Sequence, residues 1–306
     1  MLRLATFNVK DLLEPPINDR SRFERKVDWL AKMFERTQAD VIALQEVGPL
    51  DLLERVLSKM PLPFPHVHLG SPDDRGIRCA VVSRFAFLDA ENSGSDDLPF
   101  PTHKIGPKPP FSGPLRMRRS VVRVAVQTPT VSRLDFVTAH FKSRRPVWLT
   151  DVPTSPDSTS ARELAEARAR SVAWRAAEAL LVRTVVDALW DAGHRFIAVA
   201  GDFNDTSPSV PLEILRGEGE RALLDVTLRV ESSRRFTSRH DGRREQIDHF
   251  LGSPMLDGMC TSVEILNEQV REHPFVPSDE QLSRGVSRPR LQIDSDHAPI
   301  VVTLSG

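Results

Sequence analysis

Apolar positions along this 306-residue chain change their period several times, and each change predicts an element. Residues 2–9 alternate and are rich in strand formers, whereas Phe23, Val27, Leu30, Ala31 and Phe34 recur at helical spacing. Val41-Ile42-Ala43-Leu44 is a short unbroken apolar run, as a strand buried on both faces requires. Residues 50–57 read as a second helix, which Pro61, Pro63 and Pro65 bring to an end. Strands are expected at 78–82, 120–127 and 133–139, with a long loop at 89–115, where Pro, Gly, Ser and Asp dominate. After an irregular stretch at 142–160, a long helix is predicted over 161–190. Ser160 and Glu163 form its capping box and Gly193 its C-terminal stop. Further strands are expected at 195–200, 246–251, 260–266 and 298–304, with a short helix starting at Pro211. No internal repeat or composition break divides the chain. It reads as one mixed α/β domain over 1–306.

Composition narrows the class without naming a function. A hydrophobic content of 40% and a charged content of 27% are those of a globular chain able to bury a large core. No apolar run approaches the roughly 20 residues of a membrane span, and the first residues read as a strand and not as an export signal. Two cysteines, Cys79 and Cys260, make no disulfide framework, so the expected compartment is the reducing cytoplasm. A formal net charge of −1 excludes a polyanion binder that acts through its whole surface. It leaves room for local basic clusters, such as Arg116, Arg118, Arg119 and Arg123, or Lys142, Arg144 and Arg145.

The chemistry stands where apolar strands end. Ala5-Thr6-Phe7 runs into Asn8, Val41-Ile42-Ala43-Leu44 into Gln45-Glu46, and Phe136-Val137-Thr138-Ala139 into His140. Ile197-Ala198-Val199-Ala200 runs into Gly201-Asp202-Phe203-Asn204, and Asp294-Ser295-Asp296-His297 immediately precedes the last apolar strand. Each ending alone reads as a turn residue or a satisfied histidine. Together they gather carboxylates, an amide and imidazoles at one rim, where ligand sites collect. Hard oxygen donors of this kind suit Mg²⁺ better than zinc, and Mg²⁺ is commonly held by one or two carboxylates plus substrate phosphate. A neighbouring histidine can move a proton near neutral pH. The combination points to phosphate-ester hydrolysis. His66 and His68, spaced as alternate strand residues without a third nitrogen or sulfur partner, make a poor zinc site.

Thr6-Phe7-Asn8-Val9, Gln45-Glu46-Val47, Gly201-Asp202-Phe203-Asn204, Ile247-Asp248-His249 and Ser295-Asp296-His297-Ala298-Pro299 stand in this order across nearly the whole chain. In both order and residue type the sequence resembles the endonuclease/exonuclease/phosphatase superfamily. The resemblance implies a four-layer α/β/β/α sandwich, two mixed β-sheets face to face with helices outside. It also implies roles. Glu46 would be the principal metal ligand, with Asn8 beside it and Asp296 next to the metal. Asp202 and Asn204 would orient the attacking water and the scissile phosphate. His297 would be general base or phosphate ligand, with its tautomer fixed by Asp248, and His140 would donate to a phosphate oxygen or protonate the leaving group. Whether His297 or Asp202 takes the proton of water stays open at this level.

The expected activity is that of a Mg²⁺-dependent phosphodiesterase, with Mn²⁺ able to substitute. His140-Phe141-Lys142-Ser143 is similar to a segment of bacterial nucleases of the superfamily. Lys142, Arg144 and Arg119 are therefore the candidate contacts to substrate phosphates, and a nucleic acid, DNA before RNA, is the expected partner. No aromatic-rich, sequence-reading module is visible, so cutting with little sequence specificity is expected. The alternative is a phosphatase or phosphodiesterase acting on a lipid head group or small phosphate ester. No protein partner can be read from the sequence.

Overall fold

The computed structural model describes residues 1–15, 17–94, 117–147, 161–240, 242–272 and 291–306. Its strands in chain order are β1 (Leu2–Leu12), β2 (Val41–Val47), β3 (His66–Leu69), β4 (Arg78–Ser83), β5 (Phe87–Ser93), β6 (Val121–Val126) and β7 (Leu134–His140). There follow β8 (Ile197–Asp202), β9 (Leu224–Asp225), β10 (Ser238–His240), β11 (Arg243–Glu245), β12 (Asp248–Gly252), β13 (Cys260–Ile265) and β14 (Ile300–Leu304). The helices are α1 (Arg20–Thr37), α2 (Leu50–Leu57), α3 (Ala161–Asp191), α4 (Val210–Arg216) and α5 (Pro254–Met259).

Two six-stranded sheets result. One runs β13-β14-β1-β2-β4-β3 and the other β5-β6-β7-β8-β12-β9, while β10 and β11 make a separate ribbon. The pairs β1–β2 and β7–β8 are parallel and the remaining pairs antiparallel, so both sheets are mixed.

The unbroken apolar runs are explained by burial on both faces. Leu2, Leu4, Val41, Ala43 and Val81 of the first sheet face Val122, Val124, Phe136, Ala200 and Phe250 of the second across one buried core. The alternate residues Ala5, Phe7, Ile42 and Leu44 point the other way, onto Phe23, Val27, Leu30 and Phe34 of α1 and Leu52, Leu53 and Val56 of α2. On the far side Val137, Ala139, Ile197 and Val199 meet Ala177, Val182 and Val186 of α3 and Leu212 and Leu215 of α4. Period-2 alternation with both faces apolar gives helix, sheet, sheet, helix, the expected four layers. Among the described residues no helix is long and apolar enough to cross a membrane.

Two local expectations are revised. The loop expected from residue 89 begins instead as β5, an edge strand whose exposed Asp89 and Glu91 are both held by Arg123 of β6. Charged residues blunt an edge in this way, and they also hide its period from the sequence. The rest of that expected loop, from 95 to 115, lies outside the described residues, as does Ser160 of the capping box. Gly193 does stop α3, with a φ of 86° and the amide of His194 donating to the carbonyl of Leu189 at 3.0 Å.

The strand expected to end at Ala200 runs on through Gly201 and Asp202. Those two residues pair with Ala139 and His140 on one side and with His249 and Asp248 on the other. At Gly201 a Cβ would stand 2.1 Å from the carbonyl oxygen of Ala139. Gly201→Ala is therefore expected to cost about 3 kcal/mol or more, since the obstruction is backbone and cannot rotate away. Chemical denaturation of the variant measures this, and an unchanged midpoint would show that the two strands can part.

Candidate active site

The second sheet lays three polar residues in one row. His140 at the end of β7 lies opposite Asp202 at the end of β8, which lies opposite Asp248 at the start of β12. The first sheet faces this row with Asn8 of β1 and Glu46 of β2. The ladder between β1 and β2 is interrupted after Asn8 and resumes at Leu12. Around that irregularity Lys10, Asp11 and Glu46 take positive φ values of 53°, 44° and 60°. Asn204 takes 51°, so four of the five described non-glycine residues with positive φ surround one spot. Such conformations cost of order 1–3 kcal/mol each and persist where the surroundings over-determine them, commonly at functional sites.

Hydrogen bonds tie the cluster together. The Asn8 amide donates from Nδ2 to Glu46 Oε1 at 3.1 Å and to Asp202 Oδ2 at 3.0 Å, bridging the two sheets. Glu46 Oε2 accepts the Asp11 amide at 3.0 Å, and Asp202 Oδ1 accepts the Asn204 amide at 3.0 Å. His140 Nε2 lies 3.3 Å from Asp202 Oδ2. His297 enters on the segment before β14. Its Nδ1 is 2.8 Å from Asp248 Oδ2, and its Nε2 is 3.9 Å from Asp202 and 3.8 Å from Asp296. That segment is pinned by Ser295, whose hydroxyl donates to the Asn8 carbonyl at 2.7 Å and accepts the His297 amide at 3.1 Å. Thr237 does the same for Asp248, its hydroxyl accepting the amides of Ile247 and Asp248, each at 3.1 Å.

The electrostatics separate the acids and bases. Burial alone would hold the His297 imidazole neutral, but Asp248, Asp202 and Asp296 together push it up to about 10. Burial, and after it Arg119, keeps His140 well below the usual imidazole range. Burial also raises the Asp202 carboxyl to about 7, with Asp248 and Glu46 adding to the rise and His297 opposing it. For Glu46 burial is outweighed, foremost by the Lys10 ammonium, and the carboxyl stays well below its ordinary range. One imidazole is thus held charged and the other neutral, a few ångströms apart around a shared carboxylate.

These oxygen and nitrogen donors could hold a metal ion. Ligand atoms of Glu46, His140 and Asp202 lie within 4.8 Å of one another and all three residues are buried. His140 Nδ1 is buried and makes no hydrogen bond. Asp202, Asp248 and His297 form a second such group, in which His297 Nδ1 is already paired with Asp248 Oδ2 at 2.8 Å. Asp296, expected beside the metal, is engaged by the Lys10 ammonium at 3.2 Å.

Seven of the residues singled out from the sequence therefore come together: Asn8, Glu46, His140, Asp202, Asp248, Asp296 and His297. Asn204 borders them, its side-chain Nδ2 donating to the Phe141 carbonyl at 3.0 Å. The three expected phosphate contacts are placed differently. Lys142 folds its ammonium onto the carbonyls of Ser143 and Arg145, at 2.8 and 3.0 Å, and Arg144 pairs with Glu245. Arg119 is buried beneath His140 and Phe141, donating to both carbonyls at 3.3 Å and pairing with Asp73 at 3.2 Å. That makes Arg119 a brace. Arg119→Leu is expected to cost about 3–5 kcal/mol, because the buried Asp73 carboxylate loses its Arg119 partner and the carbonyls of His140 and Phe141 lose a donor. A thermal melt that moves little would contradict the assignment.

The cations that do approach the carboxylates were not visible in sequence. Lys10 pairs with Asp296, and Arg75 pairs with Asp11 and lies 3.8 Å from Glu46. Lys26 of α1 is buried, and burial lowers it to about 8 against the pull of Asp11, Glu46 and Asp296. Lys26 stands three places after Phe23 and four before Leu30, on the flank of the apolar stripe of α1, where only the fold shows which carboxylates it meets, and Arg75 lies on a polar loop. Only Lys10, two places after Asn8, carried a positional hint.

Comparison with solved structures gives the same fold at low identity. A humanized D. rerio TDP2 carrying 14 mutations superposes with a TM-score of 0.59 at 17% identity, over 100% of this chain and 99% of that one. A truncated Caenorhabditis elegans TDP2 gives 0.59 at 13%, over 100% and 97%. The Neisseria 3′ phosphatase NExo, in a singly substituted form bound to a product DNA hairpin, gives 0.56 at 17%, over 100% of both chains. No curated protein sequence matches this chain. The sequence profile described as the Endonuclease/Exonuclease/phosphatase family matches residues 5–297, which includes every member of the cluster. The chain belongs to the endonuclease/exonuclease/phosphatase family, whose members are metal-dependent hydrolases of phosphate esters.

Proposed function

We propose that this protein is a Mg²⁺-dependent phosphodiesterase that cuts DNA with little regard to sequence. The observation that carries the reading is the convergence of Asn8, Glu46, His140, Asp202, Asp248 and His297, from strand ends of both sheets, on one buried cluster. Glu46, with Asn8 and Asp296 beside it, would hold the metal, which supplies positive charge to the phosphoryl oxygens as negative charge develops there. Asp248 fixes the Nδ1 proton of His297 and keeps the ring charged, so Nε2–H is a donor for a phosphoryl oxygen and not an acceptor for the proton of water. That leaves Asp202, anchored by Asn8 and the Asn204 amide, to orient the water and take its proton. His140 Nε2, beside Asp202, completes the donor set around the phosphate. The DNA assignment draws support from NExo, whose structure holds a product DNA hairpin.

The 3′ phosphatase activity named for NExo favours a second reading, removal of a terminal phosphate. The test is a gel assay on supercoiled plasmid, linear duplex, single-stranded DNA and RNA, with a 3′-phosphorylated oligonucleotide and a small phosphate ester alongside. Each is run with Mg²⁺, Mn²⁺ or EDTA, and with Glu46→Ala as control. Metal-dependent nicking lost in Glu46→Ala is the expected result. Release of terminal phosphate alone would replace the nuclease with a phosphatase, and turnover in EDTA would remove the metal.

A further inference from the structure

The carboxylates of the site carry their own counter-cations. Lys10 Nζ lies 3.2 Å from Asp296 Oδ2, and its surroundings also include the charges of Glu46 and Asp11. The Arg75 guanidinium pairs with Asp11 and reaches to 3.8 Å from Glu46 Oε2. Both cations are more accessible than Glu46. The Lys10 side chain is 25% exposed and that of Arg75 56%, against 8% for Glu46. The backbone is shaped to bring Lys10 there. The strand bulges after Asn8, Lys10 and Asp11 both take positive φ, and the Lys10 amide donates to Asn8 Oδ1 at 2.9 Å. A non-glycine residue adopts that conformation at a cost, and here it accompanies an ammonium set 3.2 Å from Asp296.

We infer that Lys10 is a built-in competitor of the metal, an ammonium that neutralises Asp296 and Glu46 in the metal-free protein and sets a ceiling on how tightly a divalent cation is held. The inference rests on the reading that this cluster binds a divalent cation. Its physical basis is mutual exclusion. An ammonium and a divalent ion drawn to the same carboxylates repel each other at short range, and in a partly desolvated site that repulsion is strong. The sign of the effect distinguishes this role from a structural one. Removing a residue that merely shapes the site loosens it and weakens metal binding, whereas removing a competitor strengthens it.

The test is calorimetric titration of Mn²⁺ into wild type, Lys10→Met, Lys10→Gln and Lys10→Arg, with thermal unfolding of each form with and without Mn²⁺. Lys10→Met and Lys10→Gln are expected to bind Mn²⁺ about tenfold tighter than wild type, and Lys10→Arg within about threefold of it. The two neutral variants should also gain more thermal stability from Mn²⁺ than wild type does. Equal or weaker binding in the folded neutral variants overturns the inference while leaving the metal site in place. Lys10→Gln decides the matter should Lys10→Met fail to fold. Absence of Mn²⁺ binding in every form, wild type included, would overturn the metal-site reading and the inference together.

Discussion

Glu46→Gln is expected to lower hydrolysis on the order of a thousandfold or more while the protein still unfolds cooperatively. Glu46 is 6% exposed, accepts one hydrogen bond from Asn8 and one from the Asp11 amide, and is held ionised chiefly by Lys10. Glutamine keeps the volume and one acceptor oxygen but removes the negative charge. The Lys10 and Arg75 cations then face a neutral amide, and the principal anchor for a divalent cation is gone. Metal binding should fall together with activity. Folding should survive, because the positive φ at Glu46 and the packed carboxylates show a site built against stability, and relieving such sites commonly stabilises a protein. Turnover and Mn²⁺ titration on the purified variant check both parts. Near-normal turnover would remove Glu46 from the metal site, and loss of cooperative unfolding would make its role structural.

Substituting the His297–Asp248 pair should have the next largest effect. His297→Ala is expected to slow hydrolysis by roughly a hundred- to a thousandfold, the loss expected when one charged donor to the phosphate is removed. Asp248→Asn keeps the shape but takes away the charge that, with Asp202 and Asp296, holds the imidazole protonated against burial up to about 10. The consequence for stability has a definite sign. The folded-state value lies above the ordinary 6.5 of histidine, so the stabilisation from this pair is complete below about pH 6.5 and disappears as the pH rises through about 10. Urea unfolding of wild type and Asp248→Asn across that window should show a stability gap that is widest at the acid end and narrows toward pH 10. A gap that stays constant would mean that Asp248 does not set the protonation of this imidazole, and would reopen the role of general base for His297.

Most of the site was readable because its members terminate apolar strands, and a strand end has only a few places to go. Asn8, Glu46, His140 and Asp202 each stand at the end of a short, mostly apolar run, and parallel pairing of β1 with β2 and of β7 with β8 brings those ends to the same rim. Asp248 and His297 enter from the start of β12 and the segment before β14, both antiparallel to their neighbours, which brings them to that rim as well. The basic residues were not readable in the same way. Lys142, Arg144 and Arg119 form a conspicuous positive group in sequence, yet each is turned onto carbonyls or a carboxylate of the protein itself. A long flexible side chain takes its direction from whichever partner the fold supplies, and sequence spacing does not encode that partner.

Edge strand β5 escaped notice for a related reason. Its outward residues are acidic and its stability comes from Arg123, 32 to 34 residues further on. The sequence by itself determined the layers, since strands apolar on both faces must be covered on both, and it determined the identity of the acids and imidazoles at their ends. The tertiary structure alone decided which charges meet. It placed Lys10, Lys26 and Arg75 around Glu46 and locked His297 onto Asp248. Proton affinity in a buried cluster depends on distances of a few ångströms between groups hundreds of residues apart, and only the folded chain sets those distances.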